Sequence, residues 1–151
     1  MNKFLQDLDA ELKEALKSRN ELKLSAVRMI KASLKNKEIE KMGTLGDDDV
    51  TSVLSSMAKQ RRESIEQFAA AGRTELVEKE KKELEIIQSY LPKQLSPQEL
   101  DAIIVSAIKE SNASSPADMG KVMKLVMPRI KGAADGKAVN QRVKELLSSA
   151  P

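Results

Sequence analysis

The chain has 151 residues and a formal net charge of +3, with 26 basic and 23 acidic side chains, no Cys, no His, and three aromatic residues, Phe4, Phe68 and Tyr90. Without Cys and His it has no disulfide, no thiolate nucleophile, no sulfur-ligated zinc and neither the usual general base nor the commonest metal ligand. A chain of this length can bury roughly 70% of its unfolded surface, and with so few rings the core must be aliphatic, which suits helices packed on helices.

Leu5, Leu8, Leu12, Ala15 and Leu16 recur at steps of three and four, which predicts an amphipathic helix over residues 3–18, ended by Asn20. A second helix is expected over 21–42, with Val27, Ile30 and Leu34 on one face, broken by the Gly43 to Gly46 stretch. Asp47, Asp48 and Asp49 suit the start of a third helix, where acids offset the partial positive charge of the free N–H groups. That helix carries Val50, Val53, Leu54, Met57, Ile65 and Phe68 on one side and ends near Gly72, which can take the left-handed conformation. Thr74 is read as the cap of a fourth helix, dense in Glu and Lys outside and apolar at Leu76, Leu84, Ile87 and Leu91, closed by Pro92.

Beyond Pro92 the Ser96-Pro97-Gln98-Glu99 sequence is a capping-box start, and Ser115-Pro116-Ala117-Asp118 is read as a second one. Three short helices are expected, over 97–110, 116–127 and 137–148, the last two separated by Pro128 and the Gly132 to Gly136 turn. The expected fold is all-α, with an N-terminal bundle of about four helices (residues 1–92) and a small C-terminal three-helix lobe (residues 93–151).

Charge is distributed unevenly between these parts. Residues 1–92 hold 17 basic against 17 acidic side chains, whereas residues 93–151 hold 9 against 6 and so carry the whole excess. Residues 119–144 hold seven cations, Lys121, Lys124, Arg129, Lys131, Lys137, Arg142 and Lys144, against Asp135 alone. On a helix, Met119, Val122, Met123 and Val126 share one face and Lys121 and Lys124 the opposite one, so the lysines must face solvent. A cationic surface of this kind binds phosphates by releasing condensed counterions, and the Gly132 and Gly136 turns allow close backbone approach. Single lysines are ordinarily solubilising charges, and such a patch also fits DNA, an acidic protein or an anionic membrane. The scarcity of rings disfavours a reader of unpaired bases.

Two other basic clusters, Arg28/Lys31/Lys35 and Lys59-Gln60-Arg61-Arg62 with Arg73, are read as structural. Arg61 falls on the apolar side of its helix, where pairing with Glu83 or Glu85 is expected. The chain shows no apolar h-region and no run near the roughly 18 to 20 residues of a membrane span. A cytoplasmic protein without membrane attachment is therefore expected.

The segments Ala71-Gly72-Arg73-Thr74-Glu75-Leu76-Val77, Tyr90-Leu91-Pro92-Lys93-Gln94-Leu95-Ser96 and Ala117-Asp118-Met119-Gly120-Lys121-Val122-Met123 resemble the YqeY family across essentially the whole chain. That family is similar to the tail of the GatB subunit of the glutamine-dependent tRNA amidotransferase, and to modules appended to some glutaminyl-tRNA synthetases. The resemblance implies a tRNA-binding helical module, carried most directly onto Met119-Gly120-Lys121 and the Lys131 to Gly136 turn. Its site would comprise Lys121, Lys124, Arg129, Lys131, Gly132, Lys137, Arg142 and Lys144, with tRNA as partner, no metal and no cofactor. An alternative is a protein adaptor for an amidotransferase or an aminoacyl-tRNA synthetase. A carbon–nitrogen ligase label, with glutamine as amido donor, would be inherited by similarity only, since no ATP cradle, amidase Ser-Ser-Lys arrangement or other catalytic apparatus can be read from the residues.

Overall fold

The computed structural model describes residues 3–149, which fall into two compact units divided between Leu91 and Pro92. The N-terminal unit contains α1 (Lys3–Lys17), α2 (Glu21–Lys41), α3 (Asp47–Ala70) and α4 (Thr74–Ser89). The C-terminal unit contains α5 (Pro97–Ser111), a 3-10 turn (Pro116–Asp118), α6 (Met119–Arg129) and α7 (Gly136–Ser148). Among the described residues there is no strand, so the chain is all-α.

Aliphatic stripes at helical spacing close the N-terminal core. Leu5 and Leu8 from α1, Val27, Ile30 and Leu34 from α2, Val50 and Leu54 from α3 and Ile87 from α4 are all buried in one cluster. Ile65 and Phe68, on the same side of α3, are only half-buried. Phe4 meets Tyr90 edge to face at 5.7 Å, and the Tyr90 hydroxyl donates to the Glu11 carboxylate. Burial, reinforced by that carboxylate, pushes the phenol above its ordinary value.

The helix ends explain where the chain turns. Asn20 does not simply stop α1. Its side-chain oxygen accepts the Lys23 N–H at 3.1 Å and so starts α2. α2 ends with Met42 in the left-handed conformation, and the buried Leu45 anchors the following turn. The Asp49 carboxylate then reaches back to the Gly46 N–H at 2.9 Å and accepts from Lys41 at 2.5 Å; the Lys41 contact is the larger cause that holds its carboxyl below the usual value. Gly72 takes φ +71° at the end of α3, as expected, and the Arg73 N–H closes that end on the Phe68 carbonyl at 2.9 Å. Thr74 is the first residue of α4 rather than its cap, and the cap position, Arg73, makes no side-chain bond there.

In the C-terminal unit the Ser96/Glu99 capping box forms in both directions, at 3.1 and 3.0 Å. The second start signal works differently: Ser115 makes no side-chain cap, and Asp118 instead accepts the Ser114 N–H at 3.0 Å across the 3-10 turn. That backbone hydrogen bond is the main cause that lowers the Asp118 carboxyl. Pro128 lies inside α6 rather than beyond it, because a proline this near the C-terminus removes only one of the last hydrogen bonds. Ile104, Ala107, Val122, Val126, Ile130, Val139, Val143 and Leu147 form the core. Gly132, at φ +73°, turns the chain so that its carbonyl accepts Gln94 Nε2 at 2.9 Å and the Ala133 carbonyl accepts the Leu95 N–H at 2.8 Å.

The expected pairing of Arg61 is present with a changed partner set. Its Nε lies 3.0 Å from buried Glu83 and 3.5 Å from Glu80, Nη2 donates to Met29 Sδ at 3.4 Å, and Glu85 is exposed. Removing one member strands the other in a dry environment, whereas replacing both with apolar groups does not. Glu83→Leu is expected to cost about 3 kcal/mol in urea unfolding and Arg61→Met/Glu83→Leu to recover most of it; equal losses in the two variants would contradict this assignment.

Candidate nucleic-acid interface

Helix α6 buries Val122 and Val126 completely, and Met119 and Met123 pack half-buried against the same core. That orientation forces the opposite face outward, where Lys121 and Lys124 are exposed. Lys121 lies 3.7 Å from Asp118 one turn earlier, a long and solvent-bathed pair; Lys124 has no carboxylate within ion-pair distance among the described residues. Met127, on the last turn, is exposed. On α7, Val139, Val143 and Leu147 take the core side, leaving Lys137 and Lys144 exposed. Lys131 is exposed beside Gly132 in the turn.

The two arginines of the sequence-derived set are placed differently from the lysines. Arg142 forks onto Asp101 of α5, with Nε at 2.7 Å and Nη2 at 2.8 Å, and its Nη1 donates to Glu145 at 3.0 Å. Such a planar bidentate pair is the strong form of this interaction; it lowers the Asp101 carboxyl and raises the guanidinium above its ordinary value. Arg142 and Asp101 also border a groove of about 480 Å³ whose apolar lining includes Leu95, Leu100, Ala134 and Ala138. Arg142 thus ties α7 to α5. Arg129 is held by Glu110 of α5, one side chain over a third exposed and the other about half exposed.

Seven cations against one anion is therefore a property of the linear window 119–144 and not of the folded surface. Asp101, Glu110, Asp118 and Glu145 all lie outside that window in sequence and next to it in space. Of these seven, Lys124 and Lys144 have no ion pair among the described residues, and Lys121 has only its long pair with Asp118. Among the described residues no three acidic side chains converge as a metal site would require, and no helix is long and apolar enough to cross a membrane.

The chain matches the family described as Yqey-like protein over residues 5–147. It is 32% identical over 152 residues to a Pyrenophora tritici-repentis protein named "Altered inheritance of mitochondria protein 41, mitochondrial", an alignment covering 98% of this chain and 83% of that protein. Proteins of the same name from Lachancea thermotolerans and Saccharomyces cerevisiae are 33% and 36% identical over 74% and 62% of this chain. The chain spans 61% and 51% of those two relatives' own lengths. These names overturn the expectation of a cytoplasmic protein, because the relatives are mitochondrial by name. The lack of an apolar span, on which that expectation rested, speaks only to crossing a bilayer and selects no compartment. With the family matched along nearly its full length and both helical units in place, the chain belongs to the Yqey-like protein family.

Proposed function

We propose that the chain is a tRNA-binding helical module, an accessory to aminoacyl-tRNA metabolism, whose C-terminal unit grips the RNA backbone through Lys121, Lys124 and Lys144, with Lys131 and Lys137 beside them. The observation that carries this reading is the outward face of α6 and α7, where Lys124 and Lys144 are exposed and unpaired among the described residues while the opposite faces are fully buried. Such cations exchange condensed counterions for protein contacts on a polyanion. The few aromatic residues are engaged elsewhere: Phe4 and Tyr90 pack on one another and Phe68 is half-buried. Recognition therefore rests on shape and phosphates rather than on stacked bases. The family's likeness to the GatB tail supplies tRNA as the ligand.

A second reading, a protein adaptor docking onto an amidotransferase or an aminoacyl-tRNA synthetase, is favoured by the exposure of Met127 beside Arg129. Pull-down from extract with and without ribonuclease separates the two, since only protein docking survives the nuclease.

Binding to folded tRNA is expected to weaken by roughly 0.7 to 0.9 log units per log of salt for each phosphate neutralised. The Lys124→Glu/Lys144→Glu variant is expected to lose binding in a filter or fluorescence titration, and unchanged affinity would contradict the reading. Glu110→Gln, which releases Arg129 from its intramolecular carboxylate, is expected to tighten binding by up to about fivefold, the scale of a surface ion pair. Weaker binding by that variant would show that the Arg129–Glu110 pair supports the interface instead of competing with it.

A further inference from the structure

The N-terminal unit is neutral only as a sum. Residues 13–37 hold eight cations, Lys13, Lys17, Arg19, Lys23, Arg28, Lys31, Lys35 and Lys37, against Glu14 and Glu21, while residues 47–85 hold seven cations against ten acids. Over the whole helices α2 holds six cations against three acids and α1 three against four, so the positive share belongs to α2 and the negative share chiefly to α3 and α4.

Helical spacing orders these cations. Lys13 and Lys17 are one turn apart on α1, in line with Asp9, and Arg28, Lys31 and Lys35 fall at i, i+3 and i+7 on α2. At 1.5 Å per residue they rise along the axis by roughly 4.5 and then 6 Å. The two lines meet at Asp9, whose carboxylate accepts from Lys31 at 2.5 Å. Lys31 is the main cause that lowers that carboxyl, and the charges of Lys35 and Lys13 also reach it. One acid therefore serves three nearby ammonium groups. Lys13, Lys17, Arg28 and Lys35 are all exposed, and none has a carboxylate within ion-pair distance among the described residues. Arg28, Lys31 and Lys35 read from sequence as structural, yet in the fold only Lys31 is tied down.

We propose that this α1–α2 face is a second polyanion-binding surface, fitted to the phosphate backbone of a folded RNA, on which Lys13, Arg28 and Lys35 contact phosphates around the Lys31–Asp9 pair. The inference rests on the RNA-binding reading and extends it to the other unit of the chain. Cations held at fixed spacing on packed helices suit a regular line of phosphates. Membrane insertion needs a continuous free apolar face; the apolar stripe of α2, Val27, Ile30 and Leu34, is fully buried in the core, which leaves Leu16, Met29, Ile39 and Met42 as the exposed large apolar side chains here. Two such surfaces on one chain raise apparent affinity, because the second contact forms at the effective concentration set by the first.

The test titrates the full chain, and its Arg28→Gln/Lys35→Gln and Lys121→Gln/Lys124→Gln variants, with folded tRNA across a salt series, and with vesicles rich in phosphatidylglycerol. Circular dichroism and melting temperature check that the exposed substitutions leave the fold intact. The Arg28→Gln/Lys35→Gln variant is expected to bind tRNA more weakly, with a salt slope smaller by roughly 1.4 to 1.8, as two lost phosphate contacts require. If the unsubstituted chain binds tRNA and this variant keeps its affinity and slope, the second surface is overturned while the C-terminal site stands. A loss confined to this variant, with the Lys121→Gln/Lys124→Gln chain unaffected, supports the second surface and overturns the C-terminal one. No tRNA binding by the unsubstituted chain overturns both, and vesicle binding that depends on Arg28 and Lys35 in its place assigns the face to a membrane.

Discussion

Each helix of this chain has to give its apolar stripe to an aliphatic core, because almost nothing else is available to hold the units together. With no Cys, no His and three rings in the whole sequence, stabilisation comes from Leu, Ile, Val and Met removed from water at about 25 cal/mol per Å². The rotation of every helix about its own axis is then fixed by which residues must be inside. Val122 and Val126 fix α6, and Val139, Val143 and Leu147 fix α7. The outward placement of Lys124 and Lys144 is a consequence of that packing. The outward lysine face and the hydrophobic core are two sides of one constraint.

The same constraint explains what could be read from the chain before folding. Periodicity is local, so the seven α-helices of the described residues, the Ser96/Glu99 box and the left-handed Gly72 were all legible, each depending on residues within a turn or two. Start signals that compete were less so: Ser115 resembles a cap, yet Asp118 satisfies the Ser114 N–H and the Ser115 side chain caps nothing. Least legible were pairings between distant residues. Asp101 and Arg142 stand 41 positions apart and Glu110 and Arg129 stand 19 apart, and no spacing rule connects them. A window of cations therefore overstated the charge that the folded surface offers.

Those pairings also sort the cations by role. A guanidinium forked between Asp101 and Glu145 braces one helix on another, and exchanging it for a phosphate contact would sacrifice three charge-assisted hydrogen bonds. An ammonium on a flexible stem with no carboxylate nearby has no such cost. Lys124 and Lys144 therefore lead the proposed interface while Arg142 ties α7 to α5. In the N-terminal unit likewise, Arg61 is consumed by Glu83 and Glu80 inside the bundle, while Lys13, Lys17, Arg28 and Lys35 on α1 and α2 have no ion pair among the described residues.

The central claim is that the outward lysines of α6 and α7 contact folded RNA. Reductive methylation of lysines with and without saturating tRNA, read residue by residue by mass spectrometry, tests it directly. The expected result is protection of Lys121, Lys124 and Lys144 with unchanged reactivity of Lys79, Lys81 and Lys82 on the acid-rich helix α4. Equal reactivity of Lys121, Lys124 and Lys144 in the presence and absence of tRNA would contradict the account.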